Sequence, residues 1–154
     1  MADYYIDASA LAKRYVQESG SGWVLALTNP QAGVTCHTVA ITGAEVMSAR
    51  VRKMRTGSMT LVELQQAAAL LRRQWRRTLN VRDVSSDIVD RAMDLVERHG
   101  LRGYDAVHLA TALAVSAERQ CAGLSALVFI SADRTQLQAA RTEGLAGENP
   151  NDFP

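Results

Sequence analysis

Four carboxylates stand where their positions in the chain could aim them at one point. Asp7 follows the apolar Tyr4-Tyr5-Ile6, Asp133 comes three residues after Leu127-Val128-Phe129-Ile130, Asp105 opens a helical stretch after Gly103-Tyr104, and Glu45 lies among Ala44, Val46, Met47 and Ala49. Taken singly, Asp7, Asp105 and Asp133 read as helix caps or first-turn acids, each stabilising its helix by about 0.5–2 kcal/mol with no chemistry. Glu45 does not fit that reading. It is the only charged residue between Ser19 and Ala49, and the apolar spacing predicts it in the middle of a helix over 39–54, where capping cannot account for it. An unpaired carboxylate on an apolar helix face is costly, so Glu45 requires an exposed edge, a cation or a hydrogen-bond network. If the four acids converge, their mutual repulsion raises their pKa values and demands a counter-ion. Oxygen donors alone select Mg2+ or Mn2+ over zinc, which favours His and Cys.

The elements that must position these acids alternate between short apolar strand-like runs and longer helical patterns. That is the signature of βαβ units around a parallel sheet, an α/β fold. Strands are predicted at 4–6, 34–36, 81–84 and 127–130, with a last edge strand after Gly144. Helices are predicted at 9–17, 22–28, from a Thr38 cap to about Met54, at 60–78, at 86–99 where Gly100 stops it, at 104–119, and from Asp133 to about Arg141. In parallel sheets of this kind ligands bind beyond the carboxyl ends of the strands, which is where Asp7 and Asp133 fall.

A length of 154 residues suits one domain over 1–154 with a single core, and 47% hydrophobic with 21% charged residues excludes disorder as the main state. The longest charge-free run, 19–44, is broken by Gly20, Gly22, Asn29, Pro30, Gln31, Gly33 and His37, so it cannot span a membrane. The opening MADYYIDAS lacks the basic start and apolar run of a secretory signal, which points to the cytoplasm. Cys36 and Cys121 have apolar neighbours and no CxxC spacing, so buried thiols are expected rather than a disulfide or a zinc site. Charge is unevenly spread: nine basic residues between Arg50 and Arg82 face the single acid Glu63, a local +8 in a chain of net +1. Such a field suits an anionic partner, either a nucleic acid or an acidic protein. His108, in an apolar helix, reads as packed rather than ligating, and His37 and His99 have no evident partner. Trp23 and Trp75 read as packing residues, Tyr4 and Tyr5 as ordinary strand residues.

The segments Tyr5-Ile6-Asp7-Ala8-Ser9, Ala44-Glu45-Val46, Gly103-Tyr104-Asp105-Ala106-Val107-His108-Leu109-Ala110 and Ile130-Ser131-Ala132-Asp133-Arg134, in this order, resemble the PIN-domain family, and within it the VapC-like toxins of bacterial toxin–antitoxin pairs. The resemblance covers nearly the whole chain. It implies a three-layer α/β/α sandwich with a central parallel sheet, and a magnesium- or manganese-dependent endoribonuclease that is held inactive by a cognate antitoxin and is usually a homodimer. Position by position it implies that Asp7, Glu45, Asp105 and Asp133 are the catalytic, metal-binding acids. It also implies that Ser9 steadies the first acid and substrate phosphate, and that Ser131 is the matching hydroxyl before the last acid. The arginine-rich helices would meet RNA, antitoxin or only solvent, with the antitoxin expected near Gly57, Met54, Met59 and Leu61.

Competing enzyme classes fail on residues. A haloacid-dehalogenase-like phosphotransferase needs an Asp where Ser9 stands, a receiver domain needs a lysine after the last strand, and a P-loop GxxxxGK[ST] is absent. From another class, the chain would be a catalytically idle module that uses its basic helices to hold RNA or a regulatory partner.

Overall fold

The computed structural model describes residues 3–154, so Met1 and Ala2 of the opening segment read above lie outside the described residues. Among the described residues five strands, Asp3–Ile6 (β1), Cys36–Val39 (β2), Asn80–Arg82 (β3), Leu127–Ile130 (β4) and Ala146–Glu148 (β5), form a sheet in the order β3-β2-β1-β4-β5, and every pairing is parallel. The helices are Ala8–Leu11 (α1), continued by a 3-10 turn over Ala12–Tyr15, Ser21–Leu27 (α2), Thr42–Arg55 (α3), Leu61–Thr78 (α4), Ser86–His99 (α5), Gly103–Cys121 (α6) and Arg134–Thr142 (α7).

Side-chain alternation along the central strands sets the layers, because successive residues of a strand point to opposite faces. Tyr5, Leu127 and Phe129 join Leu95 of α5, Leu109 and Val115 of α6 and Leu137 of α7 in one core. Ile6 and Ile130 join Leu11 of α1, Val24 of α2, Val46 of α3 and Leu71 of α4 in the other. A sheet buried on both faces explains why β4 reads as the unbroken apolar run Leu-Val-Phe-Ile. The architecture is therefore the expected α/β/α sandwich. Chain order reverses between β1 and β4, the strands that carry Asp7 and Asp133 at their ends, and such a switch point is where parallel sheets open a crevice.

Helix ends follow local chemistry. Thr60 and Glu63 form a reciprocal capping box at the start of α4, with Thr60 N donating to Glu63 Oε2 at 2.7 Å and Glu63 N to Thr60 Oγ1 at 3.2 Å. Gly100 ends α5 at φ 65°, as its sequence position predicts. Gly43 lets α4 approach α3, since a Cβ there would lie 3.1 Å from the Trp75 ring.

Several expectations are corrected. The second strand is Cys36–Val39 rather than 34–36, because pairing sets Cys36 opposite Tyr4 and His37 opposite Tyr5. Thr38 is consequently inside the sheet and caps nothing; its hydroxyl donates to the Ile6 carbonyl at 2.8 Å and lies 2.8 Å from Thr42 Oγ1. Helix α3 starts at Thr42, which moves Glu45 from the middle of a helix into its first turn. The first helix tightens to a 3-10 turn and stops at Tyr15 instead of reaching Gln17. Arg50 belongs to the interior: it is 2% exposed, and its Nη2 donates to the Ala12 carbonyl at 2.9 Å. The exposed basic surface is carried by Arg52 and Arg55 of α3 and by Arg72, Arg73, Arg76 and Arg77 of α4. Cys36 is buried as expected, but Cys121 is exposed. His99 has a partner after all, with Nε2 2.6 Å from Glu143 Oε1. Leu61, predicted on the apolar face of α4, is exposed along with Val62 at the tip of the α3–α4 arm.

The two-core layering predicts an uneven mutational map. Phe129→Ala, at a fully buried ring stacked on Tyr5 at 5.5 Å, should destabilise the fold by about 3–5 kcal/mol, whereas Leu61→Ala at the arm tip should stay within about 0.5 kcal/mol. Urea unfolding of the two variants checks both figures.

Candidate functional site

Asp7 begins as a helix cap and becomes more than one. Standing between β1 and α1, its Oδ1 accepts the Ala10 N–H at 2.8 Å, which satisfies an end of α1. Three further bonds hold the rest of the carboxylate: Ser9 Oγ lies 2.8 and 2.9 Å from its two oxygens, and Ser131 Oγ donates to Oδ2 at 2.7 Å. The two serines also receive backbone N–H groups of the loop after β4, Ala132 N to Ser9 Oγ at 2.9 Å and Asp133 N to Ser131 Oγ at 3.0 Å. Ser9 and Ser131 thus tie the first acid to the segment that carries the last. Burial raises the Asp7 carboxyl pKa, and the nearby His108, the Ala10 N–H and the two serine hydroxyls offset part of that rise.

Asp133 is likewise the cap of its helix, its Oδ1 accepting from Thr135 N at 2.8 Å and Gln136 N at 3.3 Å. Asp105 lies in the first turn of α6, and Gln136 Nε2 donates to its carbonyl at 3.1 Å, which ties α7 to the start of α6. Its carboxyl pKa is raised by burial first and then by the negative charges of Asp7 and Asp133, with His108 and Arg102 pulling the other way. The capping role and the shared field coexist at these positions, so the two readings of the sequence were not alternatives.

Asp7, Glu45, Asp105 and Asp133 line one cavity of about 250 Å³, together with Ser9 and His108; Ser131 sits behind Asp7. Arg52 and Arg102 reach the same wall. The tight cluster foreseen in the sequence is not preformed: among the described residues no three His, Cys, Asp or Glu side chains stand close enough together to hold a metal ion as they are. Each acid is held from its own element, Asp7 by two serine hydroxyls and Glu45 by a histidine. The donor chemistry nevertheless suits a hard divalent cation, because the wall presents carboxylate oxygens from four separate elements and two of those carboxylates already carry raised pKa values.

Two residues that sequence reasoning set aside complete the site. His108 is packed, as expected, and it also has a job: its Nε2 lies 2.7 Å from Glu45 Oε2 and its Nδ1 3.1 Å from the Tyr5 hydroxyl. An ionised carboxylate only accepts, so Nε2 carries the proton toward Glu45. The Tyr5 hydroxyl meets Nδ1 on the other side of the ring. Tyr5, His108 and Glu45 therefore form a buried chain, and its pairs are separated by 103 and 63 residues, beyond the reach of any local pattern. The i+3 spacing from Asp105 was the one signal that placed His108 near the acids.

Two outcomes follow. Asp105→Asn keeps the shape and removes the charge, so at neutral pH without divalent cations the variant should melt at a higher temperature than the parent. A raised folded-state pKa means that the carboxyl supports the folded state below the ordinary carboxylate range and opposes it once pH rises through the raised value; the advantage of the Asn variant should vanish on acidification, which thermal melts across pH will show. His108→Leu should weaken Mn2+ binding about 10-fold or more, and His108→Gln, which restores an N–H near Nε2, should recover part of it by calorimetry.

A family profile described as PIN domain matches residues 4–142, a span that contains all four acids. Ribonuclease VapC45 of Mycobacterium tuberculosis is 35% identical over 111 residues, 72% of this chain and 75% of that protein. Among solved structures, VapC20 of Mycobacterium tuberculosis, described as a sarcin–ricin loop cleaving toxin, superposes with a TM-score of 0.60 at 16% identity, covering 94% of this chain and 97% of its own. A toxin–antitoxin complex from Klebsiella pneumoniae gives a TM-score of 0.54 at 21% identity, covering 88% and 90%. These two structures share the fold of this chain, and the profile match from β1 through α7, which includes the acidic wall, with the 35% identity to a ribonuclease, carries the assignment: the chain belongs to the PIN-domain family.

Proposed function

We propose that this chain is the toxin of a type II toxin–antitoxin pair, an endoribonuclease that uses Mg2+ or Mn2+ to hydrolyse RNA phosphodiester bonds. One observation carries the reading: four carboxylates from the ends of β1 and β4 and the first turns of α3 and α6 line a single cavity at the switch point of the sheet. Family membership and the 35% identity to a named ribonuclease support the reaction class.

The residues divide the work. Asp7 presents a carboxylate whose orientation Ser9, Ser131 and the Ala10 N–H fix before any ligand arrives. Glu45 and Asp105 supply the further oxygens of a first set of ligands, and His108 keeps Glu45 aimed at the cavity. Asp133 has its Oδ1 committed to the cap of α7 and serves from the outer edge through Oδ2. When bound, a divalent cation supplies positive charge at the scissile phosphoryl group and at the attacking and leaving oxygens. Arg52 and Arg102, on the same wall, hold a phosphate of the strand next to the one being cut. Water attacks the phosphorus in line and the P–O3′ bond breaks, so the products are a 5′-phosphate and a 3′-hydroxyl whose oxygen has taken up a proton.

The antitoxin is the partner expected to silence the activity. The exposed Leu61 and Val62 at the tip of the α3–α4 arm, beside Met59 and the arginines of α4, give it an apolar foothold within a basic field. The exposed apolar row Val89, Met93 and Val96 on α5 is the face we assign to a homodimer. Among the described residues no helix is long and apolar enough to cross a membrane.

In the test, Asp7→Asn, Glu45→Gln and Asp105→Asn should each lower cleavage of total cellular RNA by at least about 100-fold while keeping the helical circular dichroism of the parent, and chelation of divalent cations should do the same to the parent. End-mapping of the fragments should find 5′-phosphates. RNA that is retained without cleavage by the parent protein would instead make the chain a binding module.

A further inference from the structure

A second, larger groove of about 660 Å³ opens from the acidic wall between the starts of α3 and α6. It shares Glu45, Arg52, Arg102 and Asp105 with the smaller cavity and adds Ser48 and Tyr104. Tyr104 is 59% exposed, the most exposed aromatic side chain described, and makes no ring contact among the described residues. Other large aromatics are engaged: Tyr5 stacks on Phe129, Trp23 on Phe153 at 4.6 Å, and Trp75 lies against Gly43 and under the Arg76 guanidinium, while Tyr15 is buried. An exposed aromatic ring needs no explanation by itself. This one directly precedes an active-site acid, so it leaves α6 about 100° around the axis from Asp105.

We propose that this groove seats one unpaired nucleotide of the RNA, adjacent to the phosphate being cut, with its base laid on the Tyr104 ring and its own phosphate between Arg52 and Arg102. The inference rests on the ribonuclease reading above and names what that site holds beside the reacting bond. Three features fit this occupant. The groove shares four lining residues with the acidic cavity, so a strand laid across one reaches the other. Its walls combine an aromatic face with two arginines, the pairing by which proteins hold single-stranded nucleic acid. Arg52 and Arg102 line the part shared with the smaller cavity while Tyr104 lines only the larger groove, so the phosphate falls at the shared part and the base at the ring beyond it. A base can reach the ring only when it is unstacked and unpaired, so Tyr104 selects loops and single strands over duplex and discriminates weakly among the four bases. A protein segment suits the neighbouring groove better, which Tyr104 also borders and which Val89, Met93, Val96 and Val107 line together with Asp94 and Glu97.

The experiment uses the full chain with Mg2+ and a fluorescein-labelled single-stranded RNA containing one mapped cut site, together with the same strand made abasic next to that site. Tyr104→Ala should raise KM about 5- to 100-fold with kcat little changed, and Tyr104→Phe and Tyr104→Trp should retain the parental KM. On the abasic strand the parent should fall to the level of Tyr104→Ala, and the variants should become indistinguishable. An unchanged KM for Tyr104→Ala, or an equal loss on the intact and abasic strands, would overturn the subsite while leaving the ribonuclease standing. A weakened protein–protein association with KM unchanged would assign Tyr104 to an interface instead. If the parent protein cut no RNA, the failure would lie in the ribonuclease reading and would remove the subsite with it.

Discussion

Like charges gathered where water is scarce dominate this molecule. Unit charges separated by about 4 Å interact with about 1 kcal/mol in water and about 4 kcal/mol near a protein surface. A fold that brings carboxylates from four elements to one wall must therefore offset a penalty before it gains any function. The raised pKa values of Asp7 and Asp105 are the direct expression of that penalty, one owed chiefly to burial and the other to burial and to its acidic neighbours. The bonds around the cavity are the offset. Helix caps do double duty here: Asp7 and Asp133 each stabilise a helix start, and at Asp7 the N–H that needs capping also favours the ionised carboxylate. Ser9 and Ser131 add hydroxyls that convert two loops into one unit. The site is built into the ends of the scaffold, which explains how a marginally stable chain tolerates it.

The parts of this arrangement that local chemistry controls were legible in the sequence. A run of four aliphatic and aromatic residues ending near an acid describes β4 and Asp133. The apolar spacing of 86–99 and the glycine behind it describe α5 to the residue, because the cap at Gly100 needs a positive φ. What depended on pairing was not legible. Val34 and Thr35 have the same strand character as Cys36–Val39, and only the register against β1 decides between them. That shift carried Glu45 with it. It was singled out because a mid-helix acid on an apolar face needs a partner; it lies instead in a first turn, where the dipole favours it, and yet it does have a buried partner. The residue was the right one to question, and the reason first given for doing so was incomplete.

The partner shows why the rest stayed hidden. His108 and Tyr5 look like packing residues by every local criterion, and both do pack, at 1% and 0% exposure. Their importance comes from three residues on β1, α3 and α6 meeting in one line, which no spacing within an element can announce. The same limit applied to the basic stretch. Arg50 counts toward the local charge on paper, but helix periodicity turns it inward to the Ala12 carbonyl, while its neighbour Arg52 stays exposed and lines the acidic cavity.

Arg52 and Arg102 bear on a tension that any such centre must resolve. The cavity offers negative charge to a substrate that is itself a polyanion, so attraction at long range and chemistry at short range pull in opposite directions. Separation in space resolves the first part: the exposed arginines of α3 and α4 form a field that draws RNA in, at distances where about 8–10 Å of screening length still lets opposite charges act. Contact resolves the second. Two guanidinium groups on the wall neutralise only part of four carboxylates and an arriving phosphate, and the remainder is what a small, doubly charged, oxygen-seeking ion is suited to balance. The deficit of positive charge at the wall and the excess of it on the helical arm are two halves of one electrostatic arrangement, and a change to either should be felt by the other through the binding of RNA rather than through the fold.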